Sequence, residues 1–375
     1  MRYFIIAGEQ SGDLHGSNLI KALHSHDKEA SVFCWGGEMM EEAGATLLMH
    51  YKNTAIMGFT AIIQNLGKFI SNLELCKKQI WDYSPDAVIL IDFPGFNMRI
   101  AEYCKRKGFK VLYYISPKFW AWGEWRVRKV KRYVDRMFII FPFETEFYAR
   151  HGIRVQYLGN PLVDEVERQQ ALLPDEEEIY KICGQSGKPV IALLAGSRKH
   201  EVLSILPQMV KLAGEFHDYH FVVAGVKNLP DELYQSIIGD EPVSLVKDKT
   251  YKILKVADAA LVASGTATLE TALFNVPQVV CYKGDFFSML VAWVLIKVKF
   301  ISLVNLILKR EVIKELVGYS LNRKNLIREL KAILPGGDKR EKILSDYDAI
   351  RFTLGSSGAS DRIAGEMVRV LRYQE

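Results

Sequence analysis

Short, almost wholly apolar runs recur along this chain, and most lead through a turn into a stretch of helical periodicity. Residues 3–7 lead to a helix from about 14 to 23, and 87–91 to one through Ile100, Ala101 and Cys104. Residues 110–115 precede a basic helix near 126–133, and 136–141 precede one near 144–150. Residues 155–158 end at Gly159-Asn160-Pro161, and the pattern restarts at 190–194, 219–224, 259–263 and 278–282. A strand that is apolar at every position has no solvent face. It belongs in a parallel sheet covered by helices on both sides. The expected class is therefore α/β, with doubly wound, Rossmann-like parallel sheets.

A chain of 375 residues, 49% hydrophobic and 25% charged, holds material for two ordinary globular cores. The pattern breaks between about 159 and 189, where Pro161, Pro174, an acidic run at 175–178 and the loop 184–187 fall. We read that break as a crossover and helix, which gives an N-terminal domain over 1–165 and a C-terminal domain over 166–350. Residues 351–375 form a last helix that starts after Gly355-Ser356-Ser357-Gly358 and is amphipathic through Ile363, Met367, Val370 and Leu371. It is expected to pack back on the N-terminal domain. A net charge of +5 is too small to imply nucleic acid. Cys34, Cys76, Cys104, Cys183 and Cys281 have no paired spacing, which reads as reduced thiols in a cytosolic protein and not as disulfides or a zinc site. Residues 1–8 run straight into a turn and read as a first strand, not a signal peptide.

In such sheets ligands bind beyond the C-terminal ends of the strands. After the apolar run ending at Ala263 come Ser264, Gly265, Thr266, Ala267 and Thr268, opening a helix that carries Glu270. Backbone N–H groups and the positive end of a helix dipole suit a phosphate there, and Glu270 would suit sugar hydroxyls. The plainer alternative is a tight turn with a surface Glu. A second strand ends in Gly196, Ser197 and Arg198, and the guanidinium could hold a diphosphate bidentately. Its alternative is a solvated Arg. Glu9, Ser11, Gly12, Asp13 and His15 follow the first strand, without the spacing of a dinucleotide fingerprint, as an edge cluster or a polar turn. Asp92 ends an apolar strand just before Pro94 and Gly95. It is either a partly desolvated general base or the N-cap of a helix near Phe96.

Trp120, Trp122 and Trp125 precede Arg126, Arg128, Lys129, Lys131 and Arg132. Aromatics interleaved with cations suit single-stranded nucleic acid, a membrane interface or an amphiphilic anion, or are core tryptophans beside a solvated helix. The apolar stretch 286–308, interrupted at Lys297, is too short to span a bilayer. It is either core or a membrane-facing surface flanked by Lys297, Lys299, Lys309 and Arg310. Residues 57–70 are a further apolar candidate.

Taken in order, these segments resemble lipid-A-disaccharide synthase, a bacterial glycosyltransferase family of the GT-B fold. The resemblance rests on Ala-Gly-Glu-Gln-Ser-Gly-Asp at 7–13, Gly-Gly-Glu at 36–38, Ile-Asp-Phe-Pro-Gly-Phe-Asn at 91–97 and Ser-Pro-Lys-Phe-Trp-Ala-Trp at 116–122. It continues in Pro-Phe-Glu at 142–144, Gly-Asn-Pro-Leu at 159–162, Ala-Gly-Ser-Arg at 195–198, Ser-Gly-Thr-Ala-Thr-Leu-Glu at 264–270 and Ile-Ser-Leu-Val-Asn-Leu at 301–306. It implies two domains facing a cleft. It also implies transfer from a UDP-2,3-diacylglucosamine to a 2,3-diacylglucosamine 1-phosphate, with inversion, giving a β-1,6-linked disaccharide 1-phosphate and UDP. The family pattern maps Asp92 as the base and places Arg198, the 264–268 turn, Glu270 and the Asn305 region on UDP. The edge cluster from Glu9 to His15 is the candidate acceptor site. Neither metal nor other cofactor is expected, and the partners are the two lipid substrates and a membrane surface, at the inner face of the inner membrane. The chain departs from the pattern at Val304, where a Pro often stands, and at Lys199 and His200, where small residues are frequent. The rivals are a UDP-sugar enzyme of the same fold with a soluble acceptor, a nucleic-acid-binding protein using 118–132, and a nucleotide-binding protein without turnover.

Overall fold

The computed structural model describes residues 1–54, 66–121, 123–184, 187–283 and 299–373. It divides into two compact units, one made of Met1–Asp164 and Ser356–Glu375, the other of Glu165–Gly355. Among the described residues the sheet of the first unit has seven strands: β1 (Arg2–Ala7), β2 (Ser31–Gly36), β3 (Thr46–His50), β4 (Ala87–Ile91), β5 (Lys110–Tyr114), β6 (Arg136–Ile139) and β7 (Gln156–Tyr157). All pairings are parallel, in the order β3-β2-β1-β4-β5-β6-β7. The winding reverses between β1 and β4, and such a reversal opens a crevice beyond the strand ends.

Alternation along the strands builds two core layers. Phe4, Ile6, Val88, Leu90, Val111 and Tyr113 face one layer, while Tyr3, Ile5, Ile89, Ile91, Leu112 and Tyr114 face the other. The second layer is completed by Ile363, Ala364, Met367 and Val368 of the C-terminal helix Ala359–Tyr373, which packs on the helix Gln10–His26. The start of that last helix is tied down by Asp164. Its carboxylate accepts from the amides of Gly358 (2.8 Å), Ala359 (3.1 Å) and Ser360 (3.0 Å). Those amides have no partner within the helix, and a cap of this kind is worth about 1 kcal/mol. Arg362 adds bonds to the carbonyls of Leu158, Ser356 and Ser357.

The second unit repeats the plan. Among the described residues it has β8 (Val190–Leu194), β9 (His220–Gly225), β10 (Val243–Lys247), β11 (Ala257–Ala263), β12 (Gln278–Tyr282) and β13 (Glu315–Val317). Their order is β10-β9-β8-β11-β12-β13, again all parallel, with the reversal between β8 and β11. The stretch 159–189 carries two helices, Pro161–Leu172 and Glu176–Ile182, the latter capped by Asp175 on the amide of Glu178 at 2.9 Å.

The bounds of β4, β8 and β12 coincide with the apolar runs read from the sequence. β2, β3, β10 and β13 escaped that reading. β3 and β10 are edge strands of intermediate burial, and β13 is an edge strand of three residues. An edge strand has a neighbour on one side only and stays partly exposed, so it does not need a continuous apolar run; β2 lies inside the sheet, and its run is broken by the exposed Ser31 and half-buried Phe33. Of the apolar stretches, 55–65 and 284–298 lie outside the described residues, as do Trp122 and positions 185–186 of the 184–187 loop. Leu66 and Ile70 are exposed, whereas Phe300, Val304 and Ile307 are core. Among the described residues no helix is long and apolar enough to cross a membrane.

Candidate active site

At the reversal point of the first unit, the turn after β1 meets the turn after β4. A Cβ on Gly8 would lie 2.3–2.6 Å from the ring of Phe93, so the close approach of the two turns requires glycine there. Asp92 (φ 43°) and Phe93 (φ 48°) both occupy the left-handed region. Non-glycine residues held there cost about 1–3 kcal/mol each and persist only where the surroundings enforce them. Here the Asp92 amide donates to Tyr114 O at 3.2 Å, and the Asp92 carbonyl accepts from Asn97 Nδ2 (2.9 Å) and Tyr113 OH (2.6 Å). Asn97 Nδ2 also donates to the carbonyl of Ile91 at 3.2 Å.

The helix Pro94–Arg106 is capped by Phe93 without a side-chain bond, so Asp92 is not spent as an N-cap. Its carboxyl is pushed up to about 6 by burial, with Glu9 adding to the rise, while Lys118 and the Phe93 amide pull the other way. A carboxylate that is ionised at neutral pH yet basic for its type is the group a hydroxyl needs for its proton.

The polar residues after β1 do not all remain available. Glu9 accepts from Ser11 Oγ at 2.7 Å. Gly12 brings the helix against Ala7, where a Cβ would sit 3.1 Å from the alanine's own. His15 is half-buried on the same helix. Asp13 is buried, and its carboxylate takes the amides of Gly37 (2.7 Å), Met39 (3.2 Å) and Met40 (3.1 Å). It thereby caps the helix Glu38–Glu42, and as an acceptor ligand it would have to break those bonds.

The loop after β5 is held by a residue the site reading had not singled out. Glu144 is buried and accepts from Ser116 Oγ, from Trp120 Nε1 (3.1 Å) and from the Phe141 amide (3.1 Å). Burial pushes its carboxyl up to about 7 against the pull of these donors.

In the second unit the same two strand ends carry different chemistry. After β8, Gly196 has φ 103°, and Glu201 packs beneath it. Glu201 Oε2 accepts from the amides of Ser197 (3.1 Å) and Arg198 (3.3 Å), and its Oε1 lies 3.5 Å from Arg198 Nη1. These amides are therefore not bare, and the exposed Arg198 side chain is the group this turn offers outward. Its signal was legible as a Glu three residues on, at the helix start.

After β11, among the described residues nothing accepts from the amides of Gly265, Thr266 and Ala267. Ser264 Oγ donates to Ile301 O (2.9 Å) and Thr268 Oγ1 to Gly265 O (2.8 Å), so both hydroxyls brace the turn. Glu270 is raised from the usual carboxylate range by burial, helped by Glu165, and Tyr251 OH donates to its Oε1 at 2.8 Å. Nothing in the sequence links Tyr251 to Glu270, because the pairing is made by the fold. Asn305 is fully buried. Its Nδ2 donates to Ile313 O and Glu315 Oε1 (2.9 Å each), and its Oδ1 accepts from Val312 N (2.7 Å) and Ile313 N (3.1 Å). With all four hydrogen-bonding positions used, Asn305 can serve a ligand through the segment it shapes, not through its own side chain. Among the described residues no group of three or more His, Cys, Asp or Glu is placed to hold a metal ion.

Residues 3–361 match the family model described as lipid-A-disaccharide synthetase. The chain belongs to the lipid-A-disaccharide synthase family. It is 37% identical over 367 residues to the lipid-A-disaccharide synthase of Syntrophus aciditrophicus, covering 96% of this chain and 95% of that one. With that of Geobacter sulfurreducens it shares 33% over 379 residues, covering 100% and 98%. Among solved structures it is similar to the UDP-GlcNAc 2-epimerase of Neisseria meningitidis bound to UDP-GlcNAc, with a TM-score of 0.70 at 13% identity over 98% of this chain and 100% of that one. It is also similar to S. aureus MnaA with UDP, with a TM-score of 0.69 at 16% identity over 99% and 97%. At such identities these two show the fold alone. Two Rossmann-like units of GT-B type, in a member of this family, make a hexosyltransferase of lipid A disaccharide synthesis.

Proposed function

We propose that the donor is a UDP-2,3-diacylglucosamine and the acceptor a 2,3-diacylglucosamine 1-phosphate, joined β-1,6 with inversion at the donor's anomeric carbon. Asp92 takes the proton of the acceptor's 6-hydroxyl as the oxygen attacks, and UDP leaves with its bonding electron pair. The observation that carries this is the Asp92 carboxylate itself. It sits at the reversal point of a parallel sheet, on a left-handed backbone clamped by Asn97 and Tyr113, with a raised proton affinity. In the second unit Arg198 and the 265–267 amides meet the diphosphate, Ser264, Thr268 and Asn305 brace the segments around it, and Glu270 takes the ribose hydroxyls. Glu9 and the start of the helix Gln10–His26 lie beside the base and suit the acceptor sugar. Incubation with both lipid substrates, followed by mass analysis for the disaccharide 1-phosphate, tests this directly. A product formed equally well from a soluble, non-acylated acceptor would contradict it.

Both substrates carry acyl chains, so the enzyme works at a membrane surface, which in this pathway is the inner face of the inner membrane. Trp125 is 69% exposed, and Arg128, Lys129, Lys131 and Arg132 are exposed just after it. Each cation near an anionic surface contributes about 1 kcal/mol. Co-sedimentation with anionic vesicles is expected at low salt and should weaken at high salt or on Lys or Arg to Glu changes at 128–132. Protein that stays in the supernatant with such vesicles at low salt would overturn the membrane reading.

A further inference from the structure

The turn after β5 is built more firmly than an ordinary surface loop. Ile115, β-branched, has φ 62°, a conformation that needs enforcement. Ser116, Pro117 and Phe119 are buried on either side of the exposed Lys118. Glu144 grips the loop through Ser116 and Trp120, Tyr148 OH donates to Pro117 O at 3.3 Å, and the Ala121 amide closes the turn on Lys118 O at 3.1 Å. The result is one outward-pointing cation, on a fixed backbone, beyond the end of the strand that neighbours β4. Its ammonium makes no hydrogen bond or ion pair among the described residues, and its charge acts on Asp92. An exposed Lys whose backbone is braced in this way presents its charge from a fixed point of the sheet edge, where an anionic ligand can meet it.

The local charges sharpen the point. Glu9 and Asp92 make this edge of the sheet negative, which would repel an anionic acceptor unless a cation offset them, and the Lys118 charge acts on Asp92 in that opposite sense. The hydroxyl to be deprotonated and the anomeric phosphate flank the same hexose ring. We propose that Lys118 receives the acceptor's anomeric phosphate and so selects the phosphorylated acceptor, with Glu144 as the positioning residue that fixes its loop. This rests on the reading of Asp92 as the base toward a phosphorylated glucosamine.

The test compares kcat/KM of the full-length enzyme for the diacylglucosamine 1-phosphate acceptor and for the same acceptor lacking the phosphate. The readout is the ratio of the two. A charge-assisted contact corresponds to roughly 10- to 100-fold, so the wild type should prefer the phosphorylated acceptor by about that factor. Lys118→Met should bring the ratio down toward one, Lys118→Arg should restore most of it, and Glu144→Gln should lower it in part. UDP affinity, measured by calorimetry on each variant, should stay at the wild-type value and reports that the fold is intact. A ratio unchanged in Lys118→Met, with both acceptors slowed equally, would mean that Lys118 acts only on the ionisation of Asp92, and the proposal would fail. A wild type that transfers to neither acceptor would instead remove the reading of the reaction, and this inference with it.

Discussion

Beyond β1 and β4 of the first unit stand Glu9 and Asp92; beyond β8 and β11 of the second stand Arg198 and the 264–268 turn. The two pairs of strands occupy the same place in the same winding order. The backbone plan therefore puts a ligand crevice at both, and the residues that follow the strands decide what each can do. On the proposed reading, the carboxylates of Glu9 and Asp92 with Lys118 beside them would make the first a place for removing a proton. On the same reading, Arg198 and the 265–267 amides, which have no acceptor among the described residues, would make the second a place for an anion. The difference extends to the backbone. The first crevice holds Asp92 and Phe93 on left-handed, non-glycine backbone, whereas the second uses Gly196 and Gly265 where the chain must bend. Aiming a short side chain such as Asp requires a carbonyl and Cβ in one fixed direction, and the clamp by Asn97 and Tyr113 supplies it.

The largest expected effect breaks the first crevice alone. Asp92→Asn should lower turnover about 10²- to 10⁴-fold while UDP binding by calorimetry is retained. Because this variant removes a charge that burial disfavours, it should unfold no more easily than the parent at neutral pH. The base must be ionised to act, and its proton affinity is raised, so kcat/KM of the wild type should fall as pH drops through about 6. A limb at the ordinary carboxylate value would argue against this assignment. Next comes the second crevice. Arg198→Ala should weaken UDP binding and slow transfer by roughly 10- to 100-fold, the worth of a charge-assisted bond. If UDP affinity were unchanged, the anion would have to bind elsewhere.

Smaller changes sharpen the contrast by acting on support. Asn97→Ala leaves the Asp92 carbonyl with one donor fewer on a strained backbone. A loss of about 1–3 kcal/mol in denaturant unfolding is expected, together with slower turnover and normal UDP affinity. Normal turnover would show that the clamp is not needed for aim. Smallest of all, Tyr251→Phe frees Glu270 Oε1 and should weaken UDP binding by roughly 2- to 10-fold, as a single hydrogen bond of about 0.5–1.5 kcal/mol implies. The effect should vanish in a Glu270→Ala background, and full persistence there would disconnect Tyr251 from the ribose.

The alternating pattern, the bounds of β4, β8 and β12, and the polar residues at strand ends were open to sequence reasoning because each is a local matter. A strand buried on both faces must be apolar at every position, and a turn beyond it exposes whatever polar residue comes next. That is why Asp92, Arg198 and Glu270 stood out. What escaped depended on partners distant in sequence. Asp13 and Asn305 look like ligand residues until the amides that occupy their oxygens, 24, 26 and 27 residues from Asp13, and 7 and 8 from Asn305, are in view. Glu144 reaches back 28 residues to Ser116, and Tyr251 meets Glu270 across 19.

By itself, then, the sequence determined the class of fold, the family and the strand ends where chemistry is placed, since hydrophobic periodicity and ordered motifs are written along the chain. Tertiary structure decided which polar side chains remain free. A buried carboxylate or amide must be paired, and the pairing depends on which loops the sheet order brings together, so it decides which side chains are spent wholly on bracing the fold. Asp13 and Asn305 were taken up by that requirement, Asp92 was not spent as a helix cap, the Arg198 side chain stayed exposed, and Lys118 has no partner among the described residues.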